Sequence, residues 1–193
     1  MCLPSAEQKR ELLDAVRASP LLCPILERWD ELALPDCWLA AGAVAQTIWN
    51  SKLGKPHDHG IRDIDLVYFD ENDLSKESED AHAHRICGLF PEVPVSLDVK
   101  NEARVHLWYA ERFGEVIAPY RSSKDAITTF PTTATAFGLR CAGDKIEIYA
   151  PYGLADVLQL RIVANKKQIT REVYLAKTMR WRELWPELEI VDW

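Results

Sequence analysis

A chain of 193 residues with 48% apolar and 27% charged side chains can bury a proper core as one domain, or as one domain with a helical extension. Its net charge of −7 argues against a general nucleic-acid coat protein, and the longest uncharged run, Cys37 to Ser51, is too short and too polar to span a bilayer. Five scattered cysteines (2, 23, 37, 87 and 141) without a C-x-x-C pair argue against a disulfide framework or a zinc site; with no apolar stretch of signal-peptide length in "MCLPSAEQKREL", a reducing cytoplasm is the simpler expectation.

Ser5-Ala-Glu-Gln8 has the form of a capping box and opens a helix running to about Ser19, before Pro20. A short second helix is expected next, with Ser19 as cap, Pro20 in its first turn and Pro24 limiting it. "CWLAA" (37–41) reads as a short apolar strand ending at Gly42, and "AVAQTIWNSKL" (43–53) as a helix closed by Gly54, with Pro56 just beyond. The polar loop "GKPHDHG" leads into "IRDIDLVYFD" (61–70). Alternation there puts Ile64, Leu66 and Tyr68 on one face and Ile61, Asp63, Asp65, Val67 and Phe69 on the other.

An acidic turn follows, then a helix capped by Asp73 or Ser75. "VPVSLDVK" (93–100) is the next strand, with Val95, Leu97 and Val99 on its apolar face and Ser96 and Asp98 on the other. A helix over about 102–113 ends at Gly114, and Ser122 or Ser123 starts another. "TATAFGLRCAGDKIEIYA" reads as a hairpin turning at Ala142-Gly143-Asp144. The last long helix runs from about Thr170 to Leu184 and stops before Pro186. No repeat or linker interrupts the chain. The alternation predicts an α/β (α+β) fold, a mixed β-sheet flanked by helices with a C-terminal hairpin and helical extension, as one domain over 1–193: a core over about 37–160 that includes the hairpin, then the helical extension over about 161–193.

Asp63 and Asp65 point the same way about 7 Å apart at Cα, at roughly 3.3 Å rise per residue. Two carboxylates so close repel and resist desolvation, so a divalent cation would offset their cost; a strand start still in water reads equally well on this stretch alone. Beside them, "LAAGAV" takes a strand through Gly42 into a helix whose first N–H groups can receive phosphate. Asp98 adds a third acid on a further strand. Together they suit two-metal phosphoryl transfer.

Other signals have blander readings. Residues 161–182 hold seven basic side chains (Arg161, Lys166, Lys167, Arg171, Lys177, Arg180 and Arg182) against Glu172, leaving −13 on the remainder; a solvated helix face is favoured over a polyphosphate or RNA site. His57, His59, His82 and His84 lack a ligand spacing and are expected to face solvent. Lys100, Asn101, Arg104 and His106 could touch phosphate or acceptor, or pair with the acidic surface. The threonines of "PTTAT" suit strand entry, or orientation of a substrate. Tyr174, Trp181 and Trp185 form a helical stripe expected to pack in the core rather than stack on bases.

The strand, glycine turn, Asp-x-Asp strand and third acid resemble the polymerase-beta-type nucleotidyltransferase superfamily. More narrowly, "CWLAAGAVAQTIWN", "IRDIDLVYFD", "VKNEARVHLWY", "FPTTATAFGLR" and "YAPYGLADVLQL" look like a bacterial nucleotidyltransferase-like family of unassigned substrate. The resemblance implies that Asp63 and Asp65 hold magnesium, or manganese in its place, that binds the triphosphate of a nucleotide. It implies that Asp98 completes a second metal site and helps deprotonate an acceptor hydroxyl, and that Gly42 and Ala43 receive phosphate. Ala43 departs from the usual Gly or Ser. Where transfer-RNA CCA-adding enzymes read Gly-Gly-x-Val-Arg-Asp, this chain reads Gly42-Ala43-Val44-Ala45-Gln46, so that substrate is not carried over. The expected partners are a nucleoside triphosphate and a hydroxyl acceptor, a small molecule before RNA or protein. The alternatives are a non-catalytic nucleotide- or partner-binding module, favoured by Ala43 but not by three intact acids, and a basic-tailed RNA binder with structural aspartates.

Overall fold

The computed structural model of the chain describes residues 3–143 and 145–193. Helix α1 (Ala6–Arg17) opens on the expected capping box: Ser5 Oγ accepts from Gln8 N at 3.2 Å and Gln8 Oε1 from Ser5 N at 2.9 Å. Two short helices, α2 (Cys23–Glu27) and α3 (Trp29–Leu32), lead to strand β1 (Trp38–Ala40). The second helix departs from expectation. Ser19 Oγ accepts from Leu21 N and Leu22 N ahead of the helix, and Pro24 sits in its first turn, where its missing N–H costs nothing.

Helix α4 (Gly42–Leu53) ends at Gly54, whose φ of +62° is the left-handed cap the sequence implies. Strand β2 (Asp63–Tyr68), helix α5 (Lys76–Leu89) and strand β3 (Ser96–Asn101) form a parallel crossover unit. Ser75 caps α5, and Asp73 supports that cap by accepting from Ser75. The strand expected over 93–100 thus starts later. The helix expected over 102–113 begins as a 3-10 turn, Glu102–Arg104, before α6 (Val105–Phe113).

Ser122 caps α7 (Ser123–Ile127). Strands β4 (Gly138–Ala142) and β5 (Lys145–Tyr149) pair as the expected hairpin; Asp144 of its turn lies outside the described residues. Then come α8 (Ala155–Leu158), β6 (Arg161–Ile162), α9 (Arg171–Leu184) and β7 (Glu189–Ile190).

The mixed five-stranded sheet runs β3-β2-β1-β4-β5, and only β2 and β3 are parallel within it. The main core lies on one face, where Ile64, Leu66, Tyr68, Leu97 and Val99 meet α1, α4 and α9. Trp181 of α9 and Trp185 at its C-cap meet Trp49 edge-on at 5.2 and 5.4 Å, so the aromatic stripe is core. Ile162 and Tyr174 of the C-terminal segment share this core. Among the described residues, the opposite face has a small cluster of Trp38, Ala40, Val67 and Ile127. That thinly covered face carries the aspartates.

Of the four histidines, His57 and His84 are exposed as expected. His59 is not: its Nε2 bonds Leu184 O at 2.8 Å and its ring meets Trp185 edge-on. His82 likewise packs against Tyr68 at 5.5 Å. Both are structural because the loop after α4 and helix α5 close over aromatic side chains. Cys23, Cys37, Cys87 and Cys141 are free thiols, and no helix among the described residues is long and apolar enough to cross a membrane.

Candidate active site

Strand register brings the acids together. Asp65 lies in mid-strand between Ala40 of β1 and Asp98 of β3, its parallel partner, while Asp63 lies opposite Ser96. Alternation keeps all three aspartates on the face away from the main core. Beside Asp65, the chain leaves β1 through Ala41 at φ +57°, ψ −134°, a conformation that strains any residue with a Cβ. The Gly42 N–H that follows favours charge on the Asp65 carboxylate. No side chain caps α4, so its first turn presents backbone donors to this face. Ala43 is buried beneath that turn.

Burial and the neighbouring Asp63 and Asp98 carboxylates push Asp65 up to about 7, offset in part by Lys177 and by the Gly42 N–H. Lys177 answers in kind: desolvation lowers its pKa, while Asp65 and Asp63 hold the charge on it. Arg180, one turn further along α9, is half-buried; Nη2 donates to Gly60 O at 2.8 Å, and Nε has no partner among the described residues. The basic segment is therefore split. Lys166, Lys167, Arg171 and Arg182 are exposed, as a solvated face would be, but Lys177 and Arg180 turn toward the aspartates. The signal was present in the helical period: Val173, Lys177 and Arg180 share one stripe beside that of Tyr174, Thr178 and Trp181.

The open question about residues 100–106 divides by residue. Arg104 pairs with Glu79 at 2.6 Å, both side chains nearly buried, and donates to Leu74 O. Asn101 ties β3 to the preceding loop through Asp70 and Asp73. Lys100 instead pairs with Asp98 at 3.1 Å on the site face. Sequence reasoning passed over Glu102, although it continues the alternation of Asp98 and Lys100. It is buried in the same face, and burial together with Asp65, Glu79 and Asp98 pushes it up to about 8. A cavity of about 230 Å³ opens beyond Asp98, between α6, the segment 120–131 and the start of α9. Of the threonines, Thr132 and Thr135 bond each other and Thr133 bonds Asp156, as structural groups; Thr129 lines the cavity.

Among the described residues, no three His, Cys, Asp or Glu side chains form a ready-made metal cage. The donor set still suits a hard divalent ion, because such an ion keeps water and substrate phosphates as ligands and needs only one or two carboxylates. Asp65, held between two other carboxylates, is the oxygen donor whose ionised form such an ion would stabilise most.

A mixed sheet with Asp-x-Asp on a central strand, beside a glycine turn that starts a helix, defines a nucleotidyltransferase fold. Residues 27–190 match the family described as nucleotidyltransferase, and the chain belongs to it. A protein solved by NMR and described as revealing a CCA-adding enzyme head domain has the same fold, with a TM-score of 0.79 and 31% identity. The match covers 95% of this chain and 96% of that one. No curated protein matches the chain.

Proposed function

We propose that the protein transfers a nucleoside monophosphate from a nucleoside triphosphate to the hydroxyl of a small acceptor, releasing pyrophosphate. The observation that carries this reading is the register of Asp63, Asp65 and Asp98 on one sheet face beside the uncapped start of α4. In this reading Asp63 and Asp65 hold the divalent ion, magnesium or manganese, with Asp98 contributing on the acceptor side. Bound there, the ion would neutralise charge on the attacking and leaving oxygens. The N–H groups at Gly42 and Ala43 receive phosphate, and Lys177 and Arg180 neutralise the far end of the triphosphate. Asp98 orients the acceptor hydroxyl and draws off its proton as the oxygen bonds the α-phosphorus. The bond from that phosphorus to the bridging oxygen breaks, and the electron pair leaves with pyrophosphate.

The acceptor is read as a small molecule because the cavity beside Asp98 is small, about 230 Å³. The likeness to a CCA-adding enzyme head domain supports nucleotidyl transfer as chemistry; the absent Arg and Asp after Gly42 argue against the same acceptor.

Melting scans over four nucleoside triphosphates, with and without magnesium, test the reading. Metal and nucleotide together should stabilise more than either alone, by about 2.7 kcal/mol at ligand a hundredfold above its dissociation constant. Asp98→Asn should keep much of that shift yet lose pyrophosphate release with acceptor. No shift with any pair at millimolar concentration would refute the reading.

A further inference from the structure

The cavity beyond Asp98 has an unusual wall. Trp108, Tyr109, Phe113, Tyr120 and Phe130 supply aromatic faces and edges, with Tyr109 and Phe113 rings 4.6 Å apart. Its neutral polar groups satisfy one another: Tyr120 Oη lies 2.9 Å from Thr129 Oγ1 and accepts from Gln168 Nε2 at 2.7 Å. Its two cations are also engaged. Lys100 is paired with Asp98, and Arg112 lies over Trp108 and Phe113 at 5.9 and 5.4 Å.

Glu102 is the exception. It is 6% exposed, lines the cavity and has no hydrogen-bond partner among the described residues. A carboxyl without a protein partner, set among aromatic rings in a cavity wall, is open to a ligand that completes it. Asp98 is already paired with Lys100, so Glu102 is the acid left for a ligand, and a neutral apolar molecule would leave it unpaired. An organic cation meets both features, since its charge pairs with the carboxyl and its alkyl shell lies against ring faces.

We infer that this cavity is the acceptor subsite and that it takes an amino alcohol, with the ammonium held by Glu102 and the aromatic wall and the hydroxyl presented to Asp98. The inference builds on the transfer reading for the role of the hydroxyl, while recognition of the ammonium is independent of it. Burial that favours a neutral Glu102 in the empty cavity agrees: an arriving cation would return the charge to it.

The test uses two probes of one shape, choline and its uncharged isostere 3,3-dimethylbutan-1-ol, titrated calorimetrically into the full chain without nucleotide. Choline should bind about tenfold more tightly than the isostere. Glu102→Gln, which keeps the shape, should erase that preference. Phe130→Leu should weaken choline several-fold while sparing the isostere, because it removes the ring but keeps apolar volume. The melting shift with magnesium and nucleotide, read on the same samples, checks the fold of each variant and reports the nucleotide site separately. A choline preference without that shift would support the ammonium subsite and count against transfer. Equal affinity of the two probes, a preference that survives Glu102→Gln, or no choline binding at about 100 mM would overturn the inference.

Discussion

Replacing Asp65 with asparagine should stabilise the metal-free protein by an amount set by pH. In the fold, burial between Asp63 and Asp98 holds the Asp65 proton up to about pH 7, whereas an ordinary aspartate releases it near 3.8. Between those values the folded chain binds more protons than the unfolded one, so stability falls as pH rises. The loss accumulates at about 1.4 kcal/mol per pH unit and levels off above about pH 7, giving a ceiling of about 4 kcal/mol. Water entry and relaxation of Lys177 reduce that ceiling, and a gain of about 1–3 kcal/mol at pH 8 is expected. Asparagine cannot ionise and keeps the shape of the aspartate. The Asp65→Asn advantage should therefore be near zero at about pH 4, grow through the window and then flatten. Urea melts of both proteins in chelator across that range measure it directly. Magnesium with nucleotide should reverse the ranking, because only the wild type keeps the carboxylate to hold the ion. An advantage that does not vary with pH, or a clear loss above neutrality, would refute the reasoning and make Asp65 a structural acceptor.

Lys177→Met should extend the pH-linked loss of stability to higher pH, since it removes the charge that lowers the Asp65 pKa; the same urea series reads it. It should also weaken the nucleotide-dependent melting shift by about tenfold in affinity. Gly60→Ala should cost about 2–4 kcal/mol, because Gly60 has φ +71° and a Cβ there would lie 2.4 Å from the Trp185 ring; denaturant midpoints measure the loss. Arg104→Met should cost about 3 kcal/mol, because it leaves the nearly buried Glu79 carboxylate with only the Asn101 N–H as partner; denaturant midpoints measure the loss.

Much of the fold was legible because its signals are local. The Ser5 capping box, the glycine stop at Gly54 and the alternation through 61–70 each lie within one element, and each sets one element's boundary or buried face. The same alternation put Asp63, Asp65 and Asp98 on polar faces before any strand was paired. Local pattern could not say that Asp65 and Asp98 are register partners, since pairing depends on the crossover through α5 and on which strands neighbour. Nor could it give Pro24 its place in a first turn or dock His59 on Leu184. Lys177 and Arg180 read as one basic run with their exposed neighbours; packing of Trp181 and Trp185 against Trp49 rotates α9 so that those two cations meet the aspartates. Glu102 stood in register with Asp98 and Lys100, yet only the closure of α6 and the segment 120–131 over the sheet made it a buried carboxyl. A side chain's face follows from the repeat of its own element, but its charge state and partners follow from desolvation by segments distant in the chain.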